Sequence, residues 1–274
     1  MKIGIVAPAS RLDPSLVDRL TALVARLYPT QPPELIFSPQ CFLSAGHFAG
    51  DDETRAQALL NMANDPRLDA LWFARGGYGS GRLLERVLPA LTPTASQKTY
   101  LGYSDLGMLL AGMYGLGFRR LAHGPMPSDL QRPDGERAVA RALAFLVSGA
   151  AESLEPSVAS AGQPLVAFNL TILCHLLGTP WLPDLTGHIL MLEEVSEQIY
   201  RIDRCLFQLT SHPMIRKVAG IKLGRCSQIP PNDPDFGQDE EAVTRFWCAR
   251  SGIAYLGRAD IGHDIENKVV PFGV

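Results

Sequence analysis

The sequence predicts an α/β protein, with a parallel sheet flanked by helices over the first half and a smaller α+β unit over the second. Three observations predict it. From residue 2 to residue 146, short apolar runs of strand length alternate with segments of helical spacing, the pattern of a parallel sheet with helices on both faces. From 148 to 164 the chain turns small, polar and non-periodic, as a linker or exposed crossing does. Beyond it the elements resume with a different texture. The expected organisation is a domain at 1–147, a linker at 148–164 and a second domain at 165–274, with no internal repeat.

Each element has a local reason. Residues 2–7 are a buried-looking strand that leaves through Pro8-Ala9-Ser10, and Leu16, Leu20, Leu23, Val24 and Leu27 carry helical spacing. Leu35-Ile36-Phe37 is a second strand, a polar loop runs to Asp52, and Asp52 to Met62 is a helix. Leu68 to Ala74 is a third strand, entering a glycine-rich loop from Arg75 to Gly81, with a helix from Arg82 to Leu88. A strand ending at Gly102-Tyr103-Ser104-Asp105 is followed at once by the apolar helical run Leu109 to Tyr114, and Leu121-Ala122-His123 closes another strand before the helix from Glu136 to Leu146. In the second half the expected helices are 170–177, 201–209 and 240–251, and the expected strands are 187–195, 218–223, 253–256 and 268–271.

Bulk composition narrows the class of function. An apolar content of 46%, a charged content of 19% and a net charge of −3 describe a soluble globular protein and argue against a nucleic-acid binder, which shows a basic surplus. No run of 18 apolar residues exists, so no membrane span is expected. Five scattered Cys without a Cys-x-x-Cys pair favour free thiols in a reducing compartment. The expectation is a cytoplasmic protein. No His-Glu-x-x-His signature is present and the six His stand apart, so neither a metal nor another cofactor is expected.

The chemistry concentrates where strands end, since loops at the carboxyl ends of parallel strands converge. Strand, tight turn with a Gly two residues before Ser104, then helix is the context of a nucleophile elbow, although the following Gly comes one position late, at Gly107. The N–H of Asp105 then points toward the space above the Ser hydroxyl. Read by itself, the same turn is first of all a Ser-capped helix start, and partners elsewhere in the chain must decide for the nucleophile. The cluster Arg75-Gly76-Gly77-Tyr78-Gly79-Ser80-Gly81 offers backbone N–H groups to an anion, either a phosphate or the oxyanion of acyl transfer, or is simply a tight turn. A serine nucleophile needs a base and an orienting carboxylate. His263 sits in a Gly-containing loop after a strand and Glu193 ends an apolar strand; His123 and His188 are rival bases and Glu194 a rival acid.

Taken as an ordered series, these segments resemble the LD-carboxypeptidase family of serine peptidases over essentially the whole length. The carriers are Ile3 to Pro8, Ala74-Arg75-Gly76-Gly77-Tyr78-Gly79, Gly102-Tyr103-Ser104-Asp105, His123-Gly124-Pro125-Met126, Asn169-Leu170-Thr171, Gly178-Thr179-Pro180, Leu192-Glu193-Glu194-Val195 with Tyr200-Arg201-Ile202-Asp203-Arg204, Gly262-His263 and Val270-Pro271-Phe272-Gly273. The resemblance implies an N-terminal parallel, Rossmann-like α/β domain and a smaller β-rich C-terminal domain, with a Ser104–Glu193–His263 triad split between them. It also implies an oxyanion hole from the N–H groups of Asp105 and Gly77. The implied activity is removal of the terminal D-alanine from murein tetrapeptides in cell-wall recycling. A related branch cleaves peptidyl-nucleotide antibiotics and would need an aromatic platform such as Trp181; a non-catalytic nucleotide or ligand binder using the glycine loop is the reading from another class. The expected partners are a murein peptide and a second copy of the chain, with no nucleic acid and no membrane. Arg75, Tyr78 and Arg201 are the substrate-binding candidates, either Arg being able to hold a terminal carboxylate bidentately. Ala167-Phe168 stand where the family has small Gly residues, and their bulk is expected to crowd the substrate's approach.

Overall fold

The computed structural model describes residues 1–274. Strands β1 (Lys2–Val6), β2 (Glu34–Phe37), β3 (Ala70–Phe73), β4 (Thr99–Gly102) and β5 (Leu121–His123) are parallel. Their order across the sheet is β5-β4-β3-β1-β2. Helices α1 (Leu16–Leu27) and α2 (Asp52–Ala63) follow β1 and β2, the short α3 (Leu84–Val87) and α4 (Pro93–Ser96) join β3 to β4, and α5 (Gly107–Gly115) and α6 (Glu136–Ser148) follow β4 and β5. The strand order changes direction between β1 and β3, and in such sheets the crevice outside the strands' carboxyl ends there receives the ligand. Local rules explain the elements. In α1 the apolar stripe Leu16, Leu20, Leu23 and Val24 is the buried face, and the Asp51 carboxylate caps α2 by accepting from Thr54 N at 2.7 Å.

A second sheet holds β6 (Leu165–Asn169), β7 (Ile189–Val195), β8 (Gly220–Ser227) and β9 (Tyr255–Arg258) in that order, all parallel. Helices α7 (Leu170–Leu176), α8 (Ile199–Ser211) and α9 (Glu240–Ser251) make its crossovers. The last strand, β10 (Val270–Pro271), returns to the first sheet and pairs antiparallel with β5, Val270 opposite His123. Just beyond it, Phe272 N bonds Leu121 O at 2.8 Å while Gly273 N bonds Leu165 O at 2.8 Å, so one short segment is hydrogen bonded to both sheets.

The crossing at 148–164 is tied down along its length. Two 3₁₀ turns (Ala151–Ser153 and Pro156–Ser160) occupy it, Glu155 N bonds Val269 O at 2.9 Å, and the buried Glu155 side chain accepts from Asp260 N at 3.2 Å. One apolar core of 42 buried residues runs unbroken from Leu59 and Leu83 beside the first sheet to Val166, Leu190 and Leu206 around the second. The two sheets are therefore packed on common side chains, and their relative position is as fixed as a core. Phe168 belongs to that core. It is 1% exposed and meets Phe272 edge to face at 5.2 Å, beneath Gly107 at the start of α5, so its bulk fills the seam between the sheets.

Candidate active site

Three of the loops at the carboxyl end of the first sheet, those after β3, β4 and β5, together with the loop after β9, enclose a cleft of about 290 Å³. Its lining includes Arg75, Gly76, Gly77, Tyr103, Ser104, Arg132 and His263. Ser104 follows β4 directly and adopts φ +62°, the left-handed region that a non-Gly residue occupies only when its surroundings insist. Those surroundings are visible. A Cβ on Gly76 would lie 3.0 Å from Ser104 Cβ and 3.1 Å from its Oγ, so the glycine loop comes as close to the Ser as a hydrogen at that Cα allows.

Asp105 explains the loop. Its carboxylate, 3% exposed, accepts from Gly79 N at 3.3 Å and Ser80 N at 2.8 Å, and its carbonyl accepts from Ser80 Oγ at 2.6 Å. The anion that these N–H groups cradle is thus a side chain of the protein, which removes them from service to a phosphate. Gly77, at φ +104°, turns the loop where a Cβ would collide with Ser10 Oγ at 2.3 Å.

The carboxylate and the imidazole come from the second half. A register shift in the β7–β8 ladder falls between Leu192 and Glu194, and such irregularities re-aim side chains. The two adjacent acids consequently have different tasks. Glu193, 1% exposed, meets His263 Nδ1 through Oε2 at 2.5 Å, and its Oε1 has no other partner. Glu194 accepts from Asn169 Nδ2 at 2.6 Å, Thr171 N at 2.9 Å and Thr171 Oγ1 at 2.7 Å, which spends it on the start of α7. Gly224 makes room for the arrangement, since a Cβ there would stand 2.9 Å from Glu193 Cβ and 2.7 Å from Ile261. The His263 loop is pinned by Arg225, whose guanidinium meets Asp264 and Asp260 at 2.5 Å each, and by Arg141 of α6, which donates to Ile265 O and Asn267 O.

With Nδ1 engaged by Glu193, Nε2 is the ring nitrogen left for the cleft. Burial opposes the imidazolium of His263, but the charge and hydrogen bond of Glu193, then Glu194 and Asp129, outweigh it, so the pKa lies above 6.5. His123 is the opposite case. Burial, then the neighbouring His263, pushes it down to about 3, and it lies under Tyr103, 1% exposed and outside the cleft lining. His188 is taken up elsewhere, with Nε2 at 2.8 Å from Tyr114 Oη.

Of the residues singled out for substrate, Arg75 lines the cleft, whereas Tyr78, 59% exposed, borders an adjoining hollow beside Met108, Thr171 and His175. Arg201 lies on the exposed side of α8, ion-paired with Glu197 four residues earlier, and is not among the cleft residues. Trp181 packs against the core. Sequence reasoning missed Asp129 and Arg132. Asp129, 3% exposed, accepts from Tyr103 Oη at 2.9 Å, Met126 N at 2.8 Å and Arg132 Nε at 3.0 Å. The signal was their nearness to His123-Gly124-Pro125-Met126, a segment already placed at a strand's carboxyl end.

Comparison with known proteins agrees with this architecture. The LD-carboxypeptidase N-terminal domain model matches residues 3–124 and the C-terminal domain model residues 163–274. A relative from Synechocystis is 36% identical over 247 residues, covering 88% of this chain and 79% of the relative. The murein tetrapeptide carboxypeptidase of Pseudomonas aeruginosa is 29% identical, covering 83% of this chain and 78% of its own. The crystal structure of muramoyltetrapeptide carboxypeptidase from Oxalobacter formigenes superposes with a TM-score of 0.82 at 25% identity, covering 100% of this chain and 93% of that one. A microcin C7 self-immunity protein bound to aspartyl sulfamoyl adenosine shares the fold, with a TM-score of 0.81 at 19% identity, covering 100% of this chain and 91% of that one. Fold and similarity together define a serine carboxypeptidase, a hydrolase. The chain belongs to the LD-carboxypeptidase family. No helix is long and apolar enough to cross a membrane.

Proposed function

We propose that the protein removes the C-terminal D-alanine from murein tetrapeptides by a Ser104–His263–Glu193 mechanism. The observation that carries the reading is the delivery of a Glu193-bound His263, from the other end of the chain, to the lining of the Ser104 cleft. Ser104 Oγ attacks the carbonyl before the terminal residue while His263 Nε2 takes its proton. The N–H groups of Gly77 and Asp105 receive the developing oxyanion, and Glu193 holds the imidazolium. Collapse passes the proton to the leaving amine, freeing D-alanine, and a water molecule activated by His263 then hydrolyses the acyl-enzyme. The likeness to the Pseudomonas aeruginosa enzyme supports the substrate class. Trp181 is partly buried against the core and is not among the residues lining the Ser104 cleft, which gives no support to a nucleobase platform there.

The test is a substrate comparison. The protein is incubated with L-Ala-D-Glu-diamino acid-D-Ala and with an aminoacyl sulfamoyl adenosine, and products are followed by mass. Release of D-alanine with the nucleotide left intact is the expected result; the reverse preference would move the protein to the immunity branch.

The pH profile follows from the site. A base must be neutral to act, and the His263 pKa is raised, so the acid limb of kcat/KM should fall above pH 6.5. Glu193→Gln removes the carboxylate that sustains the imidazolium. The limb should then move to lower pH while turnover falls about 10⁴-fold. A limb unmoved by this change would mean that another group is titrating.

A further inference from the structure

We propose that Arg132 is the residue that grips the substrate's terminal carboxylate, so that the cleft selects a free C-terminus. The inference rests on the carboxypeptidase reading above and assigns the specificity of that same site. A carboxypeptidase of this kind must hold an anion within one residue of the carbonyl under attack. Two guanidinium groups line the Ser104 cleft, Arg75 and Arg132, and they differ in how firmly they are held.

Arg132 is fixed in place. Its Nε donates to Asp129 Oδ1 at 3.0 Å, and that carboxylate is itself fixed by Tyr103 Oη at 2.9 Å and Met126 N at 2.8 Å. Tyr103 immediately precedes Ser104, and its ring lies 4.8 Å from that of His263. The guanidinium is thus tied through one hydrogen-bonded chain to the backbone that carries Ser104 and the ring that packs on His263. Engagement through Nε leaves the two terminal nitrogens as a fork, on a side chain 32% exposed at the cleft wall, and a fork is the geometry that receives a carboxylate with two parallel hydrogen bonds.

The competitors lack this preorganisation. Arg75 is exposed and its side chain makes one long hydrogen bond, to Arg11 O at 3.4 Å, so fixing it on a ligand costs side-chain freedom that Arg132 has already given up. Arg201 is paired with Glu197 outside the cleft. A cleft of about 290 Å³ with a held cation on its wall is of a size for one small residue ending in a carboxylate.

The test separates binding from turnover. Full-length Ser104→Ala protein is titrated calorimetrically with the tetrapeptide L-Ala-D-Glu-diamino acid-D-Ala and with the same peptide as its C-terminal amide. The acid should bind tighter than the amide by on the order of 10–100-fold, the value of a charged hydrogen-bonded pair. Adding Arg132→Gln should erase that difference by weakening the acid alone, and Arg132→Lys should restore part of it, because an ammonium cannot fork. In the otherwise wild-type protein, Arg132→Gln should raise KM for the acid more than it lowers kcat. Equal binding of acid and amide by the Ser104→Ala protein, or discrimination that survives Arg132→Gln, would overturn the assignment and turn attention to Arg75. Equal weakening of both ligands would show that Arg132 merely braces Tyr103, and would overturn it as well. Failure of the catalytic reading looks different: discrimination in binding persists, yet wild-type protein releases no D-alanine.

Discussion

Ser104→Ala is expected to abolish D-alanine release, with a loss on the order of 10⁶-fold, and to leave the fold intact. The side chain exchanged is small, and the backbone strain at φ +62° is imposed by neighbours that the change does not touch: Gly76 against the Ser and Asp105 on the loop amides. The sharper form of the prediction concerns combination. If Ser104 and His263 act as one unit, His263→Gln should cost about as much as Ser104→Ala, and the double variant no more than either. Gln is the suitable replacement because its amide can still donate to Glu193, which would otherwise be left as a buried, unpaired carboxylate. Losses that multiply in the double variant would mean that the two residues act independently and that the triad reading is wrong.

The second large effect is expected from dividing the chain. Residues 1–147 carry Ser104, Gly77 and Asp105 but neither Glu193 nor His263. This half alone, where circular dichroism shows it folded, should be inactive and should leave Ser104 unreactive toward a serine-directed phosphonate, whereas the intact chain is labelled there and His263→Gln, which keeps the shared core, reduces the labelling. The misplacement of a base by about 1 Å costs on the order of 100-fold, and here the base is absent altogether. Labelling of the isolated half equal to that of the whole protein would hand the role of base to His123. Its burial and its pKa near 3 make that outcome unexpected.

Much of this architecture could be read from residues, and the gaps have physical causes. The helices at 16–27 and 240–251 agree with their periodicity to the residue, because amphipathic spacing and capping act locally. Strand β6 was missed. Leu165 to Asn169 is buried at every position, so it shows no alternation, and Asn169 ends the strand while capping α7 through Ile172 N, so no turn residue separates the two. The helix expected from Arg82 to Leu88 is split into a 3₁₀ turn, a single α-turn and another 3₁₀ turn, with Pro89 limiting its end. At the site, the sharp turn at Ser104 and the nearby glycine loop were legible because a strand–turn–helix is a local construction. The different tasks of Glu193 and Glu194 depend on a ladder irregularity between strands, and the Asp129–Arg132–Tyr103 network on contacts that no spacing encodes.

The segment that closes the fold, β10 with Phe272 and Gly273, also has a meaning in time. A nascent chain exposes Ser104 and its loop long before His263 is synthesised. The loop carrying His263 leads into β10, whose pairing with β5 joins strands separated by about half of the chain, and contacts of that range are among the slowest to form. On the proposed mechanism, Ser104 and His263 therefore come together only when the chain has closed on itself, and activity should appear late in folding, with the pairing of β10.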